Sequence, residues 1–299
     1  MKPAPFDYYA PTSVDQALDH MAQLGYGAKL LAGGQSLIPT MNFRLAQPPA
    51  LIDLNNIPDL AYIRPSDDGG VLIGAMTRQS TVERDPLVAQ RAPLVRACMP
   101  FIAHPQIRTR GTLGGSIAHA DPAAELPSVT VALGARYRVR SKKGERWIPA
   151  QEFFVGLFTT QLQPDEIVVE VALPPIPRTP LRDVPSRSGW SFQEVARQHG
   201  AYGLVGVAAV VTLDEKKRCQ MARMVFLSCG EKPMLAQQAA KTLVGQSPTP
   251  EAIRAAAEAA AKDDVDPSSD IHASAAYRRH LVKVLAVRAL TEAFQRANT

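Results

Sequence analysis

The chain has 299 residues, a length that suits one large domain or two ordinary ones and excludes a small scaffold held together by disulfides. Hydrophobic residues make up 46% of it and charged residues 20%, which is typical of a folded globular protein and excludes a disordered or collagen-like chain. The net charge of +5 is mild and dispersed, so it does not indicate a nucleic-acid-binding protein.

The cysteines and the N-terminus bear on the cellular compartment. Cys98, Cys219 and Cys229 are too few and too far apart for a disulfide framework, a four-cysteine zinc site or an iron–sulfur cluster within the chain. Residues 1–13 lack the apolar core of a signal peptide, and the longest apolar run, 203–211, is shorter than the roughly 18 residues of a membrane span. We therefore expect a cytoplasmic protein with no membrane span and no metal site of its own.

Short strands and helices alternate in the N-terminal half. Ser13 and Gly25 predict the start and end of a helix over residues 14–24, where apolar residues recur at helical spacing. An apolar strand over 29–32 runs directly into a Gly-Gly pair at 33–34, and a short helix follows. Further strands are predicted over 51–54, 61–64 and 71–75.

A second glycine turn, Gly-Thr-Leu-Gly-Gly-Ser over residues 111–116, leads to a helix predicted over 124–133. A hairpin over 136–147 carries arginines at alternate positions, which favours a solvated edge strand protected by charge over a nucleic-acid-binding patch. Another strand is predicted over 166–173.

Five prolines between residues 174 and 185 form the sharpest change of composition in the chain, and they exclude both a helix and a strand there. We therefore predict a first domain over 1–176, a joint over 177–186 and a second domain over 187–299. The second domain begins with two β-rich runs joined by a turn and ends with three alanine-rich helices. The runs span 204–213 and 221–228, and the helices span 235–244, 250–262 and about 275–297.

The two glycine turns are the candidates for a chemical function. A Gly-Gly pair at the end of a strand lets the backbone approach a bulky anion, because no Cβ intervenes and the N–H groups converge on phosphate oxygens. A single turn of this kind is also common as a plain connection between strand and helix. The second turn is followed by Asp121 and Glu125, which can accept hydrogen bonds from ribose or ribityl hydroxyls. Together the turns predict a diphosphate ligand with polyol parts.

Neither turn has the spacing of the common nucleotide-binding motifs. The nicotinamide-binding pattern GxGxxG is absent, and no acidic residue ends a strand about twenty residues after the first turn. The phosphate-binding pattern GxxxxGK[ST] is absent as well. A dinucleotide site of neither type points to the other flavin-binding folds.

Longer motifs surround both turns. The first is Leu-Ala-Gly-Gly-Gln-Ser-Leu-Ile-Pro over residues 31–39, and the second is Thr-Leu-Gly-Gly-Ser over 112–116, followed by Ala-His-Ala-Asp-Pro-Ala-Ala-Glu-Leu-Pro over 118–127. In this order, and with Leu-Ile-Asp-Leu over 51–54 between them, they resemble the FAD-binding medium subunit of molybdenum hydroxylases. This is the carbon monoxide dehydrogenase and xanthine dehydrogenase family, and the resemblance covers nearly the whole chain.

The resemblance implies an α+β fold. A PCMH-type FAD-binding domain would consist of two subdomains, about residues 1–55 and 56–176. A C-terminal domain of a small antiparallel sheet with helices would follow it.

The resemblance also implies roles for individual residues. Both turns would wrap the FAD pyrophosphate, Ile102 would lie close to the flavin, and Glu125 would bind the cofactor. Val168 would pack near the isoalloxazine, and Tyr202 would cover a face of the flavin. The cofactor-binding residues implied in this way are Leu30, Leu31, Ala32, Gly33, Gly34, Gln35, Ser36, Leu37, Ile102, Thr112, Leu113, Gly114, Gly115, Ser116, Glu125, Val168, Gln193 and Tyr202.

Two positions depart from the family pattern. Gln193 stands where members often carry a lysine, and Ala201 stands where many carry an aspartate. A missing lysine removes a positive charge that stabilises reduced, anionic flavin, and a missing aspartate removes a polar partner. These departures bear on the flavin potential and on the choice of electron acceptor.

The leading hypothesis is an oxidoreductase subunit that transfers electrons through FAD. An iron–sulfur small subunit would deliver electrons from a molybdopterin large subunit to the FAD of this chain, and the FAD would pass them to an external acceptor. The partners would assemble as a dimer of heterotrimers. No catalytic acid, base or nucleophile is expected here, because the cofactor carries the chemistry.

Two alternatives stay open at the level of the sequence. One is a self-sufficient FAD-dependent oxidase or dehydrogenase, which would need a substrate pocket with a base over the flavin. The other is a cofactor-free structural or nucleic-acid-binding subunit that uses the basic hairpin over 136–147.

Overall fold

A computed structural model describes residues 2–176 and 187–298 of the chain. The predicted joint over 177–186 lies outside the described residues. Among the residues described, no helix is both long and apolar enough to cross a membrane. The mixture of helices and small sheets confirms the predicted α+β class.

The first sheet is parallel and has three strands in the order β1-β3-β2. Parallel neighbours need crossover connections, which the two helices between these strands supply. The Ser13 hydroxyl accepts a hydrogen bond from the N–H of Gln16 at the start of the first helix, and Gly25 ends that helix, as the sequence predicts. The elements are β1 (Asp7–Tyr9), α1 (Val14–Leu24), β2 (Ala28–Leu31), α2 (Leu37–Asn42) and β3 (Ala50–Asp53), with a 3-10 helix at Gly25–Gly27. Asp53 ends β3 in a parallel β2-α2-β3 unit, so the expectation that no acidic residue ends a strand about twenty residues after the first turn is wrong.

The second sheet is antiparallel and has five strands in the order β4-β5-β10-β6-β7. Its central strand β10 is buried along its whole length, since both sheet neighbours and helices cover it. A separate short hairpin, β8 with β9, lies outside this sheet. The strands are β4 (Ile63–Pro65), β5 (Val71–Gly74), β6 (Arg136–Ser141), β7 (Gly144–Pro149), β8 (Phe154–Gly156), β9 (Thr159–Thr160) and β10 (Ile167–Leu173).

Short helices cover the second sheet. Proline stands at the first position of three of them, where its fixed φ suits a helix start and its missing N–H costs nothing. The helices are α3 (Gln79–Arg84), α4 (Pro86–Arg91), α5 (Pro93–Cys98), α6 (Pro105–Arg108), α7 (Leu113–His119), α8 (Glu125–Leu133) and α9 (Ala150–Phe153), with 3-10 helices at Leu54–Asn56, Pro58–Leu60 and Met99–Phe101.

The basic hairpin is neutralised by ion pairs. Arg140 contacts Asp15 of α1 at 2.7 Å, and Arg146 contacts Glu166 at 2.7 Å. The sequence predicts that the strand with the alternating arginines lies at the edge of its sheet, and this is wrong. That strand, β6, pairs with both β10 and β7, and β7 is the edge strand.

The C-terminal part is a four-stranded antiparallel sheet, β11-β12-β13-β14, with three helices. Its first strand was not predicted from the sequence, because polar and aromatic residues interrupt any apolar run there. The elements are β11 (Ser188–Ala196), β12 (Gly203–Leu213), β13 (Cys219–Leu227), β14 (Met234–Leu235), α10 (Gln237–Leu243), α11 (Pro250–Ala259) and α12 (Ala275–Asn298), with a π-helix at Ala260–Asp264.

Strand β12 is buried on both faces. Val205, Val207 and Ala209 belong to the core shared with the C-terminal helices. The alternate residues Ala208 and Val210 belong to the core shared with the second sheet and its helices. The period-two alternation of a strand therefore joins the C-terminal sheet to both sides of the molecule.

Candidate functional site

The first glycine turn, residues 32–36, connects β2 to α2. Gly34 has a left-handed backbone with φ of +73°, and an added Cβ there would lie 3.0 Å from Ile38 Cγ1. Within the part of the chain that the structure describes, the N–H groups of residues 33–36 donate to no protein acceptor. The Ser36 hydroxyl makes no capping bond to α2. Adjacent free donors on a tight turn suit the binding of phosphate oxygens.

The flanks of this turn hold its shape. Leu30 and Leu31 end β2, Leu37 begins α2, and all three side chains are half-buried. The Gln35 amide donates to the Gly33 carbonyl at 3.1 Å and thereby closes the turn on itself. The free N–H groups are thus presented by a locally ordered backbone.

The second glycine turn differs in the use of its donors. The Thr112 hydroxyl accepts from the N–H of Gly115 at 3.1 Å and caps α7. The N–H groups of Leu113 and Gly114 donate to carbonyls of residues 77 and 75 at 3.0 and 2.8 Å. The N–H of Ser116 is also bonded, at 3.2 Å, so this turn offers a ligand its glycine surface and the Ser116 hydroxyl rather than N–H groups.

The two turns touch each other. An added Cβ on Gly33 would lie 2.4 Å from the carbonyl oxygen of Arg110 and 2.7 Å from Gly111 Cα. An added Cβ on Gly115 would lie 3.2 Å from Ala32 Cβ. Only glycine permits this approach, because any side chain would push the backbones apart. The structure thus brings together two turns that are far apart in the sequence.

A buried arginine fixes the loop that carries Ile102. Arg108 is 6% exposed and donates from Nη1 to the carbonyl oxygens of Ile102 and Ala103 at 2.8 and 3.3 Å. It also forms a two-pronged ion pair with Glu83, with N···O distances of 2.9 and 3.2 Å. Ala103 has an uncommon positive φ of 43°, which these bonds stabilise. Ile102 itself is 8% exposed and packs into the core of the second sheet and its helices.

Two carboxyl groups lie near each other between the second sheet's helices and β11. Burial raises the pKa of Glu125 to about 7, and Asp121 adds to the rise while Arg108 opposes it. Burial raises the pKa of Glu194 to about 9, and Glu125 contributes further. Glu194 Oε2 is buried and has no hydrogen-bond partner among the described residues. A carboxyl group that stays protonated near neutral pH can act as a hydrogen-bond donor.

Gln193 and Val168 lie on strands of two different sheets, β11 and β10. The Gln193 amide donates to Glu292 Oε2 of α12 at 2.8 Å, so it occupies the face of β11 that packs on the C-terminal helix. Its neighbours Phe192 and Glu194 lie on the opposite face. Val168 is 6% exposed within the core of the second sheet. The implied cofactor roles of these two residues stay predictions.

The loop that carries Tyr202 lies beside the loop of Ile102. Gly200 has φ of +80°, and an added Cβ there would lie 2.5 Å from Cε1 of His104. Tyr202 is 67% exposed, which leaves its ring accessible to a ligand. Burial raises the pKa of Tyr202, and the nearby carboxylates of Asp121 and Glu125 raise it further, whereas Gln193 faces the C-terminal helix.

The sequence motifs did not point to Arg108 or Glu194. Both lie outside the glycine turns, and their partners are distant in the chain or on another element. A single arginine before a loop, or a glutamate within a strand, has no local pattern that marks it. Asn55, which bonds to the first turn, and Arg78, which bonds to Asn55 and to the carbonyl of Arg110 before the second turn, were missed for the same reason.

Two family models match the chain. The first, described as the FAD binding domain in molybdopterin dehydrogenase, covers residues 4–176. The second, described as the CO dehydrogenase flavoprotein C-terminal domain, covers residues 190–293. Together the two matches take in most of the chain.

Relatives match over nearly the full length. The chain is 42% identical to the 6-hydroxypseudooxynicotine dehydrogenase complex subunit alpha of Paenarthrobacter nicotinovorans, covering 99% of this chain and 97% of the relative. Carbon monoxide dehydrogenase from Hydrogenophaga pseudoflava has a chain with a TM-score of 0.93 and 36% identity, covering 99% of both chains. Quinoline 2-oxidoreductase from Pseudomonas putida 86 has one with a TM-score of 0.92 and 36% identity, covering 100% of both. The chain therefore belongs to the family of FAD-binding medium subunits of molybdenum hydroxylases.

Proposed function

We propose that this chain holds FAD across its two glycine turns and transfers electrons from an iron–sulfur small subunit to an external acceptor. The observation that carries the proposal is the junction of the two turns, where the N–H groups of residues 33–36 have no acceptor among the described residues. A diphosphate supplies acceptors of the right charge for these donors. Bound FAD would supply the redox chemistry that no side chain of this chain provides.

The residues present fit this cofactor. The free N–H groups and the Ser36 and Ser116 hydroxyls would bind the phosphate oxygens. Ile102 would form an apolar wall, which excludes water on one side. Glu125, with its pKa raised by burial to about 7, would donate a hydrogen bond to the cofactor when protonated or accept one from a cofactor hydroxyl when ionised.

The same proposal assigns the partners. The substrate would be oxidised on a molybdopterin large subunit, and the complex would be a cytoplasmic dimer of heterotrimers. The names of the relatives, a complex subunit among them, support an assembly of several chains. Large exposed apolar residues support it too, because such side chains are typical of subunit contacts: Phe43 is 66% exposed, Leu45 81%, Leu157 56% and Phe158 54%.

We also place the domain boundary at residues 177–186. The gap between the two matched ranges, which end at 176 and begin at 190, supports this position. The five prolines between 174 and 185 support it independently.

Stopped-flow absorbance of the purified full chain, reconstituted with FAD, tests the function. The reduced iron–sulfur small subunit of its complex should bleach the flavin band rapidly. Aldehydes, purines and aromatic N-heterocycles added to the chain alone should leave the flavin oxidised. A colourless chain that takes up no FAD would refute the proposal, and rapid reduction by one of these organic compounds would replace it with a self-sufficient flavoprotein.

A further inference from the structure

Two residues outside the glycine motifs form a hydrogen-bonded link between the turns, which we name the clasp: Asn55 and Arg78. The Asn55 amide donates to the Ala32 carbonyl of the first turn at 2.9 Å. Arg78 Nη2 donates to Asn55 Oδ1 at 2.6 Å, and Arg78 Nη1 donates to the carbonyl of Arg110, before the second turn, at 2.5 Å. An unbroken chain of hydrogen bonds therefore runs from one turn to the other.

The clasp is itself held at both ends. The N–H of Asn55 donates to Asp53 Oδ1 at 2.9 Å, and the hydroxyl of Tyr8 donates to Asp53 Oδ2 at 2.6 Å. Asp53 is 8% exposed. Arg78 also forms an isolated antiparallel β-bridge with Thr112, the capping residue of the second turn. The side chain and the backbone of Arg78 thus both contact the segment at residues 110–112.

The clasp crosses between two sheets. The first turn follows a strand of the parallel sheet, whereas the second turn packs on β5 of the antiparallel sheet. The glycine contacts between the turns are van der Waals contacts, which limit how closely the backbones approach but do not prevent them from separating. The hydrogen bonds of the clasp are directional and therefore fix the distance between the two turns.

The charge at the clasp also suits an anion nearby. Burial lowers the pKa of Arg78, and the positive charge of Arg110 lowers it further, while Asp53 partly compensates. An anion held at the two turns would relieve the repulsion between the two guanidinium groups.

We propose that Asn55 and Arg78 are positioning residues for the diphosphate of the cofactor. They hold the two turns at one separation, so that the free N–H groups of residues 33–36 and the hydroxyl of Ser116 face the same ligand. This inference rests on the proposed FAD site. Loss of either clasp residue lets the turns separate and weakens FAD binding, while the two sheets keep their own cores.

The test uses the full chain freed of FAD and compares Arg78→Met, Asn55→Leu, the double variant and Arg78→Lys. Dissociation constants for FAD and riboflavin are measured by fluorescence titration, and thermal unfolding of each apoprotein is followed in parallel. The matched control is Arg91→Met, because Arg91 also donates to a loop carbonyl, that of Gly70 at 3.2 Å, away from both turns.

We expect Arg78→Met and Asn55→Leu each to raise the FAD dissociation constant at least tenfold and to leave riboflavin binding within twofold, because riboflavin has no diphosphate. The double variant should bind FAD no more weakly than the weaker-binding single variant, since both residues act through one chain of hydrogen bonds. Arg78→Lys should not restore FAD binding, because a lysine cannot reach both acceptors in the fork geometry of arginine. The control should bind FAD as the unmodified chain does.

Other outcomes overturn the inference. Unchanged FAD binding in Arg78→Met refutes the clasp and leaves the FAD site intact, whereas an unmodified chain that binds no FAD refutes the proposed function itself. Full rescue by Arg78→Lys would assign the effect to charge alone. An equal loss of FAD and riboflavin binding would show that the clasp residues have a general structural role. If Arg78→Met does not fold, Asn55→Leu carries the same test.

Discussion

Glu125 is buried and Glu194 is half-buried, and the carboxyl group of Glu125 contributes to the raised pKa of Glu194. Neither has an oppositely charged side chain bonded to it among the described residues, and burial raises the pKa of both. A protonated glutamate on the face of β11 opposite Gln193 is therefore the polar group that this strand presents toward Glu125. The resemblance to the family drew attention to position 193, where members often carry a lysine, and not to Glu194.

The raised pKa of Glu194 predicts a stability that falls as pH rises. The folded chain retains the proton up to about pH 9, whereas the unfolded chain loses it near 4.5, so unfolding releases a proton between these values. Glu194→Gln removes this dependence. The variant should gain about 1 to 3 kcal/mol relative to the unmodified chain between pH 5 and pH 8, measured by urea denaturation. The exposed Glu152→Gln is the control and should gain nothing; a pH-independent difference in Glu194→Gln would contradict the assignment.

Helix α12 packs on β11 with almost no space between the two backbones. An added Cβ on Gly189 would lie 1.8 Å from the carbonyl oxygen of Ala293 and 2.7 Å from the N of Ala297. Beside this contact, the Arg296 guanidinium lies 3.8 Å from the ring centroid of Trp190. The glycine thus sets the distance at which α12 lies on the C-terminal sheet.

Gly189→Ala should therefore lower the free energy of unfolding by about 3 kcal/mol, because the added methyl group meets backbone atoms that cannot move without shifting the helix. Chemical denaturation measures the change. Gly156→Ala is the matched control, since an added Cβ there meets only Glu231 Oε2, at 3.9 Å. Equal stability of the two variants would show that the helix moves away from the sheet at little cost.

The C-terminal sheet is shared between two cores, so the two predicted domains are not independent. Phe192, Ala208, Val210, Val225 and Leu227 pack against the second sheet and its helices. The ring of Phe192 lies 5.1 Å from that of Phe101 in an edge arrangement. The face that carries the C-terminal helices closes a separate core.

A fragment of residues 187–299 should consequently expose one apolar sheet face and self-associate. Analytical ultracentrifugation measures its association, and an apolar fluorescent dye reports the exposed face. Addition of a fragment of residues 1–176 should reduce both signals. A fragment of 187–299 that is monomeric and binds no dye would show that this face needs no cover.

Local patterns in the sequence were enough to predict many elements and both turns. The helix predicted over 14–24 is α1 at Val14–Leu24, because a cap, a glycine stop and apolar spacing all act within one segment. The predicted strands over 204–213 and 221–228 correspond to β12 and β13. The glycine turns stand out for the same reason, since their backbone geometry depends on the residues of the turn itself.

Contacts between distant segments settled the rest. Strand β11 forms because β12 offers it a partner, and its side chains alternate between two cores that no local pattern reveals. The clasp joins residues 32, 55, 78 and 110, and the N–H groups of the second turn bond to carbonyls near β5 rather than remaining free. Local sequence specifies which backbone conformations are accessible, whereas hydrogen bonds and burial between segments far apart in the chain depend on how the sheets pack.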